Sequence, residues 1–354
     1  MIDRRTFART VGLGLGAAAV PVGTAQAAAP GAPDGSDPTV RPGTAAGPGA
    51  PPAFGPLKRV RAGVLDVGYA ETGPPHGPVV ICLHGWPYDI HSFAAAAALL
   101  AEAGYRVIVP YLRGHGSTAF RSPATARNAQ QSAVAVDVVA LMDALGISRA
   151  VLAGFDWGAR TACVVAALWP ERVKALVSAG GYLVTDARAQ RDPLPPKAER
   201  TWWYQFYFTT DRGLAALRNP QDRDDLCRLV WEEASPTWRF DDATFARTAA
   251  AFDNPDYAAV VVHNYRWRLG LADGERRYDR YERLLAARPP VGVPAIAVDP
   301  ALDPFLPSTD GAAYRRFFTG PYEHRVLDGV GHNAPQEAPE AFAAAVADAD
   351  RLRG

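Results

Sequence analysis

Gly154-Phe155-Asp156-Trp157-Gly158 sets a carboxylate between two glycines, directly after the apolar run Ala150–Ala153 and before the helical pattern Ala159–Leu168. Small residues two places either side of a reactive residue permit a sharp turn from strand to helix, which lifts the central side chain above a sheet. The helix that follows would aim its free N–H groups at that side chain, a setting that favours negative charge. Taken alone, the segment also fits a plain βα turn with a helix-capping aspartate. No Gly-x-Ser-x-Gly occurs in the sequence. A serine with a base suits acyl transfer. A carboxylate suits displacement at a saturated carbon, where it forms an alkyl ester.

Two further segments supply partners. His84-Gly85-Trp86-Pro87 follows the apolar run Val79–Leu83, and Gly331-His332-Asn333 follows His324–Leu327. A histidine on a strand-end loop near the C-terminus suits a general base. Asp303, five residues beyond the run Ala295–Val298, completes a nucleophile–acid–base order of Asp156, Asp303, His332. Asp299 is the alternative acid.

The elements that must position these residues are legible as short apolar runs alternating with longer helical patterns, the rhythm of parallel βαβ units. Strands are expected at Val64–Tyr69, Val79–Leu83, Tyr105–Val109, Ala150–Ala153, Val173–Ser178, Ala295–Val298 and His324–Leu327. Helices are expected at Ser92–Ala103, Ala129–Leu145 and Pro339–Leu352. Between about Val184 and Pro290 the rhythm stops, and the sequence turns aromatic and charged, with Trp202, Trp203, Tyr204, Phe206, Tyr207, Phe208, Trp231 and Trp238. Such an insertion between two sheet strands reads as a helical cap. The expected organisation is a core at 57–183 and 291–354 with a cap at 184–290.

These residues together resemble the α/β-hydrolase family and, within it, the epoxide hydrolase branch, over about Leu57 to Arg353. The most specific stretches are His84-Gly-Trp-Pro87, Gly104-Tyr105-Arg106-Val107, Leu112-Arg113-Gly114-His115-Gly116, Gly154-Phe-Asp-Trp-Gly158 and Gly331-His332. The resemblance implies an eight-stranded, mostly parallel sheet flanked by helices, a helical cap between strands six and seven, and no cofactor. It implies that Asp156 opens an epoxide by forming an ester, which water activated by His332 hydrolyses while Asp303 orients the imidazole. It implies that the backbone N–H groups of Trp86 and Trp157 form an oxyanion hole, and that two cap tyrosines donate a proton to the opening ring. Tyr204, in Tyr204-Gln205-Phe206-Tyr207-Phe208, and Tyr265, in Asn264-Tyr265-Arg266, resemble those tyrosines; Tyr207 and Tyr257 are the substitutes. Haloalkane dehalogenases share the Asp-Trp pair and are the nearest rival, although they usually carry Asn or Glu where this chain has Trp86. A ligand-binding member of the fold without activity is the third possibility. Arg113-Gly114-His115-Gly116 is expected to be a structural loop.

Composition narrows the partners. In 354 residues, 37 Lys+Arg balance 37 Asp+Glu, which argues against nucleic acid or an anionic membrane surface. No apolar run reaches the ~18 residues of a spanning helix. Cys82, Cys163 and Cys227 cannot all pair with one another, and Cys82 and Cys163 read as small core residues. No metal-ligand cluster is visible. Cap aromatics suit an apolar or aryl-bearing small molecule. At the start, Arg4-Arg5, a Gly/Ala/Val stretch over Val11–Val22 and Ala25-Gln26-Ala27 resemble a twin-arginine signal peptide over 1–29, so export by that machinery is expected. Residues 30–56, rich in Pro, Gly, Ala, Ser and Thr, read as a disordered linker.

Overall fold

The computed structural model describes residues 54–352. The expected signal segment, 1–29, and nearly all of the 30–56 linker lie outside the described residues.

Nine strands form one sheet: β1 (Lys58–Ala62), β2 (Leu65–Thr72), β3 (Val79–Leu83), β4 (Arg106–Pro110), β5 (Ala119–Phe120), β6 (Ala150–Phe155), β7 (Val173–Ala179), β8 (Ala295–Pro300) and β9 (Tyr322–Leu327). Eight lie on one path, β1-β2-β4-β3-β6-β7-β8-β9, and the two-residue β5 pairs with the start of β2. From β4 through β9 along that path every pairing is parallel, whereas β1/β2 and β2/β4 are antiparallel. Eight strands were expected, and the ninth is β5. The central strands β3 and β6 are covered on both faces, which is why they read as unbroken apolar runs.

Helices α1 (Ala94–Glu102), α2 (Gln131–Ala144) and α3 (Trp157–Leu168) follow strands β3, β5 and β6. Seven helices, α4 (Pro196–Thr201), α5 (Trp203–Tyr207), α6 (Asp211–Arg218), α7 (Pro220–Ala234), α8 (Asp242–Ala249), α9 (Tyr257–Arg268) and α10 (Asp279–Leu285), lie between β7 and β8. The chain ends on α11 (Ala312–Arg315), α12 (Ala334–Glu337) and α13 (Pro339–Arg351). Helices α2 and α3 pack together against the sheet, and α1 and α13 pack together against it elsewhere.

The helical insert is fastened to the loops at the carboxyl ends of the strands. Trp231 Nε1 in α7 donates to the Pro87 carbonyl at 2.8 Å. Asn254 Nδ2 donates to the Gly116 and Thr118 carbonyls, and Glu282 accepts from the Ser132 backbone N–H. These contacts tie α7, α10 and the approach to α9 to the core, so the insert bears on the ground above Asp156.

Candidate active site

Asp156 stands between β6 and α3 with φ 50° and ψ −121°. A non-glycine residue there costs about 1–3 kcal/mol, so the surroundings must impose it. Two glycines allow it. A Cβ on Gly158 would lie 1.8 Å from the Leu83 carbonyl oxygen, and one on Gly85 would lie 2.5 Å from the Asp156 Cβ. Side chains at either place would push the loop after β3 away from the turn. With glycine there, the Trp86 backbone N–H donates to Asp156 Oδ1 at 2.8 Å.

His332 lies on the opposite side of the carboxylate, with Nε2 3.7 Å from Asp156 Oδ2. Its Nδ1 is 2.6 Å from Asp303 Oδ2, and the other Asp303 oxygen accepts from the Phe305 and Leu306 N–H groups. Asp303 is thereby held from the protein side and presents one oxygen to the imidazole. Asp299, the alternative acid, points elsewhere. It lies inside β8, where its Oδ2 takes Tyr314 Oη at 2.8 Å and His324 Nε2 at 3.0 Å. The His332 backbone N–H donates to Ser235 Oγ in the insert, and Ser235 Oγ donates to Glu337.

Electrostatics follow from this geometry. Burial alone would lower the proton affinity of His332, but the Asp303 and Asp156 carboxylates outweigh it and raise the imidazole to about 10. Burial would raise the Asp156 carboxyl; His332, Arg160 and the Trp86 N–H hold it below the usual carboxylate range. The resting pair is therefore imidazolium and carboxylate.

Tyr204 and Tyr265 are both buried, with ring centroids 5.6 Å apart, and the Trp86 ring packs on both. Burial and the Asp156 charge keep both phenols protonated far above neutral pH, Tyr265 also feeling Tyr204. Tyr204 lines a pocket of about 90 Å³ with Asp156 and His332. Of the substitutes, Tyr257 accepts from Trp86 Nε1 at 2.8 Å, and Tyr207 lines a separate surface groove with Trp203. The Trp86 indole is thus occupied, while its backbone N–H serves Asp156. Trp157 is the first residue of α3, so its backbone N–H is among the four that have no partner within the helix.

His84 and His115 are structural. The Leu112 N–H donates to His84 Nε2, and His84 Nδ1 lies 2.9 Å from the Gly85 carbonyl. Burial, with His115 adding, lowers His84 to about 3, and burial lowers His115 to about 4, so both are neutral. Arg113 forms a two-pronged ion pair with Asp137 and also holds Asn128.

The sequence reading did not single out Arg160 and Arg268, which line the pocket beside Asp156. For Arg160 a signal existed: it lies four residues after Asp156, one helical turn on. Arg268 closes α9 and carries no such mark. Among the described residues no group of three or more His, Cys, Asp or Glu could hold a metal ion.

A family model described as alpha/beta hydrolase fold matches residues 78–339. Epoxide hydrolase A of Mycobacterium tuberculosis is 28% identical over 303 residues, spanning 78% of this chain and 91% of the relative. A crystal structure from Klebsiella pneumoniae subsp. pneumoniae, of a protein provisionally called an epoxide hydrolase, is 57% identical with a TM-score of 0.81, covering 84% of this chain and 97% of that one. The crystal structure of epoxide hydrolase VrEH1 from Vigna radiata is 22% identical with a TM-score of 0.64, covering 83% and 96%, a likeness of fold.

Proposed function

The chain belongs to the α/β-hydrolase fold family, in its epoxide hydrolase-like branch, and is a hydrolase; from that footing we propose that it opens an epoxide to a vicinal diol through an ester on Asp156. The observation that carries the reading is the division of labour between the two Asp156 oxygens. Oδ1 rests on the Trp86 N–H, and Oδ2 faces the imidazole side.

In the first step Oδ2 attacks a ring carbon and the C–O bond to the epoxide oxygen breaks. Tyr204 or Tyr265 gives its proton to the departing alkoxide. A neutral phenol suits the task, because it sits beside a carboxylate without like-charge repulsion. Esterification removes the Asp156 charge, and with it one of the two anions that hold the proton on His332. The imidazolium then gives up its proton and the phenolate recovers one. Neutral His332 takes a proton from water as the water oxygen attacks the ester carbonyl carbon. The carbonyl oxygen is Oδ1, so the oxyanion forms where the Trp86 N–H already points, with the Trp157 N–H as second donor. A donor so placed contributes about 3 kcal/mol. Collapse releases the diol oxygen with a proton, and restores the Asp156 carboxylate and the His332 imidazolium. One epoxide and one water yield one diol.

The test is mass spectrometry of His332→Gln after exposure to styrene oxide. The expected species is protein heavier by one epoxide, stable for hours. In a single turnover of the native chain in heavy-oxygen water, the diol should carry light oxygen from Asp156. No adduct, together with heavy oxygen in that diol, would remove the ester. A dehalogenating reading is weaker at Trp86, because its indole N–H is already donated to Tyr257. Halide from a bromoalkane with no diol from any epoxide would reverse that ranking.

A further inference from the structure

We propose that the pocket beside Asp156 recognises a substrate carrying a carboxylate, which Arg160 and Arg268 bind while the nucleophile takes the epoxide carbon. This deepens the epoxide reading and rests on it.

Arg160 comes from α3 in the core and Arg268 from the end of α9 in the insert, and both line the wall shared with Asp156 and His332. Arg160 is half-buried and Arg268 buried, and their partners set them apart from Arg113 and Arg223, the other buried arginines among the described residues. Arg113 is saturated by Asp137 and Asn128, and Arg223 by Asp224, Asp253 and the Phe252 carbonyl. Among the described residues neither Arg160 nor Arg268 has a carboxylate within ion-pair distance. Arg160 makes no side-chain hydrogen bond. Arg268 is 8% exposed and gives one terminal nitrogen to Gln190 Oε1 at 2.9 Å. Its Nε is buried with no partner.

A guanidinium has five N–H donors in a planar fork that fits a carboxylate. Two such forks, mostly empty and facing one pocket, repel each other. Burial and the Arg268 charge together lower Arg160 to about 10. An arriving anion relieves both the repulsion and the unmet donors. Arg288 lines the same pocket, its guanidinium over the Tyr182 and Phe317 rings and its Nε also unpartnered. The pocket's other carboxylate, Asp186, makes no ion pair with either arginine; its Oδ1 accepts from the Arg188 and Ala189 N–H groups. The negative charge set beside Arg160 is that of Asp156, one helical turn before it, and alkylation consumes that charge. The pocket is small, about 90 Å³, and Arg160 and Arg268 share its wall with Asp156, so a carboxylate and an epoxide ring carried on one short molecule, such as an epoxy acid, suit it.

The experiment uses the full chain and two matched pairs. In turnover, 3-phenylglycidate is compared with 3-phenylglycidamide; in calorimetric binding, unreactive 3-phenylpropionate is compared with its amide. The carboxylate should be favoured by about tenfold or more in each pair, chiefly through KM, with the margin shrinking as salt rises. Arg160→Gln and Arg268→Gln should each bring the carboxylate-to-amide ratio towards one, and Arg268→Lys should recover part of it. Reading a ratio within each variant removes differences in the amount of folded protein. Equal treatment of acid and amide, binding of neither, or a preference untouched by both substitutions overturns the proposal. If the acid binds in preference but neither epoxide opens, the anion site stands and the epoxide reading falls.

Discussion

At the scale of single residues the site turns on one proton. His332 is held charged by Asp156 and Asp303 against the cost of burial, and the proposed cycle needs that hold to weaken once Asp156 is alkylated. Asp156→Asn mimics the neutral ester. It should lower the titration midpoint of the His332 ring clearly below that of the native chain, as read by NMR; an unchanged midpoint would remove the charge coupling. The same shift has a consequence for stability. A group raised from 6.5 to about 10 on folding stabilises fully below pH 6.5, and loses that contribution as pH climbs through 10. Denaturant midpoints measured between pH 6.5 and 9.5 should therefore fall more steeply for the native chain than for Asp156→Asn. Asp303→Asn keeps the shape but turns a charged acceptor into an amide that can present a donor. The imidazole then loses both its orientation and its cation's partner, and kcat should drop by about 10³–10⁴, as when a triad acid is neutralised. A drop under tenfold would return the question of the acid to Asp299.

At the scale of elements, the turn at Asp156 depends on close approach between β3 and the start of α3. Gly158 carries that contact, because any Cβ there meets the Leu83 carbonyl at 1.8 Å. Backbone cannot swing aside as a side-chain tip can. Gly158→Ala should cost about 3 kcal/mol or more in denaturant unfolding, with activity lost beyond the loss of folded protein because the Trp86 N–H is carried away with the loop. A stability change under about 1 kcal/mol would mean that the turn relaxes freely. This close packing also explains which elements could be read in advance. Parallel strands covered on both faces leave continuous apolar runs, so β3, β6, β7 and β8 were legible to within a few residues. At the sheet's edge, β1 carries Lys58, Arg59 and Arg61, mostly exposed. Charge of that kind suits an edge strand but hides it from a search for apolar runs. β5 is two residues long and has no pattern to show. The expected helices at Ala129–Leu145 and Pro339–Leu352 match α2 and α13 closely: α13 carries an apolar face at helical spacing, whereas α2 is a long, evenly apolar run without glycine or proline.

At the scale of the whole molecule, the residues that face one another across the pocket come from distant parts of the chain. Asp156, Asp303 and His332 were legible because each follows a strand, and strand ends in a parallel sheet meet on one side. Arg268 was not, because nothing local marks which face of α9 turns inward when the insert settles. The three thiols show the same closure. Cys82, Cys163 and Cys227 are buried and free, and burial pushes all three thiols up, so little thiolate forms at neutral pH. A chain threaded unfolded into an oxidising compartment would expose all three thiols at once, whereas one that crosses already folded keeps them inside. The paired Arg4-Arg5 and the small-x-small site at Ala25-Gln26-Ala27 lead us to propose the second route. Replacing Arg4 and Arg5 by Lys should hold the chain and its hydrolase activity inside the cell. The unaltered chain should be recovered outside the cytoplasm, shortened at its N-terminus and still titrating three thiols after denaturation. Undiminished export of the doubly substituted chain, or exported protein with fewer than three titratable thiols, would count against passage in the folded state.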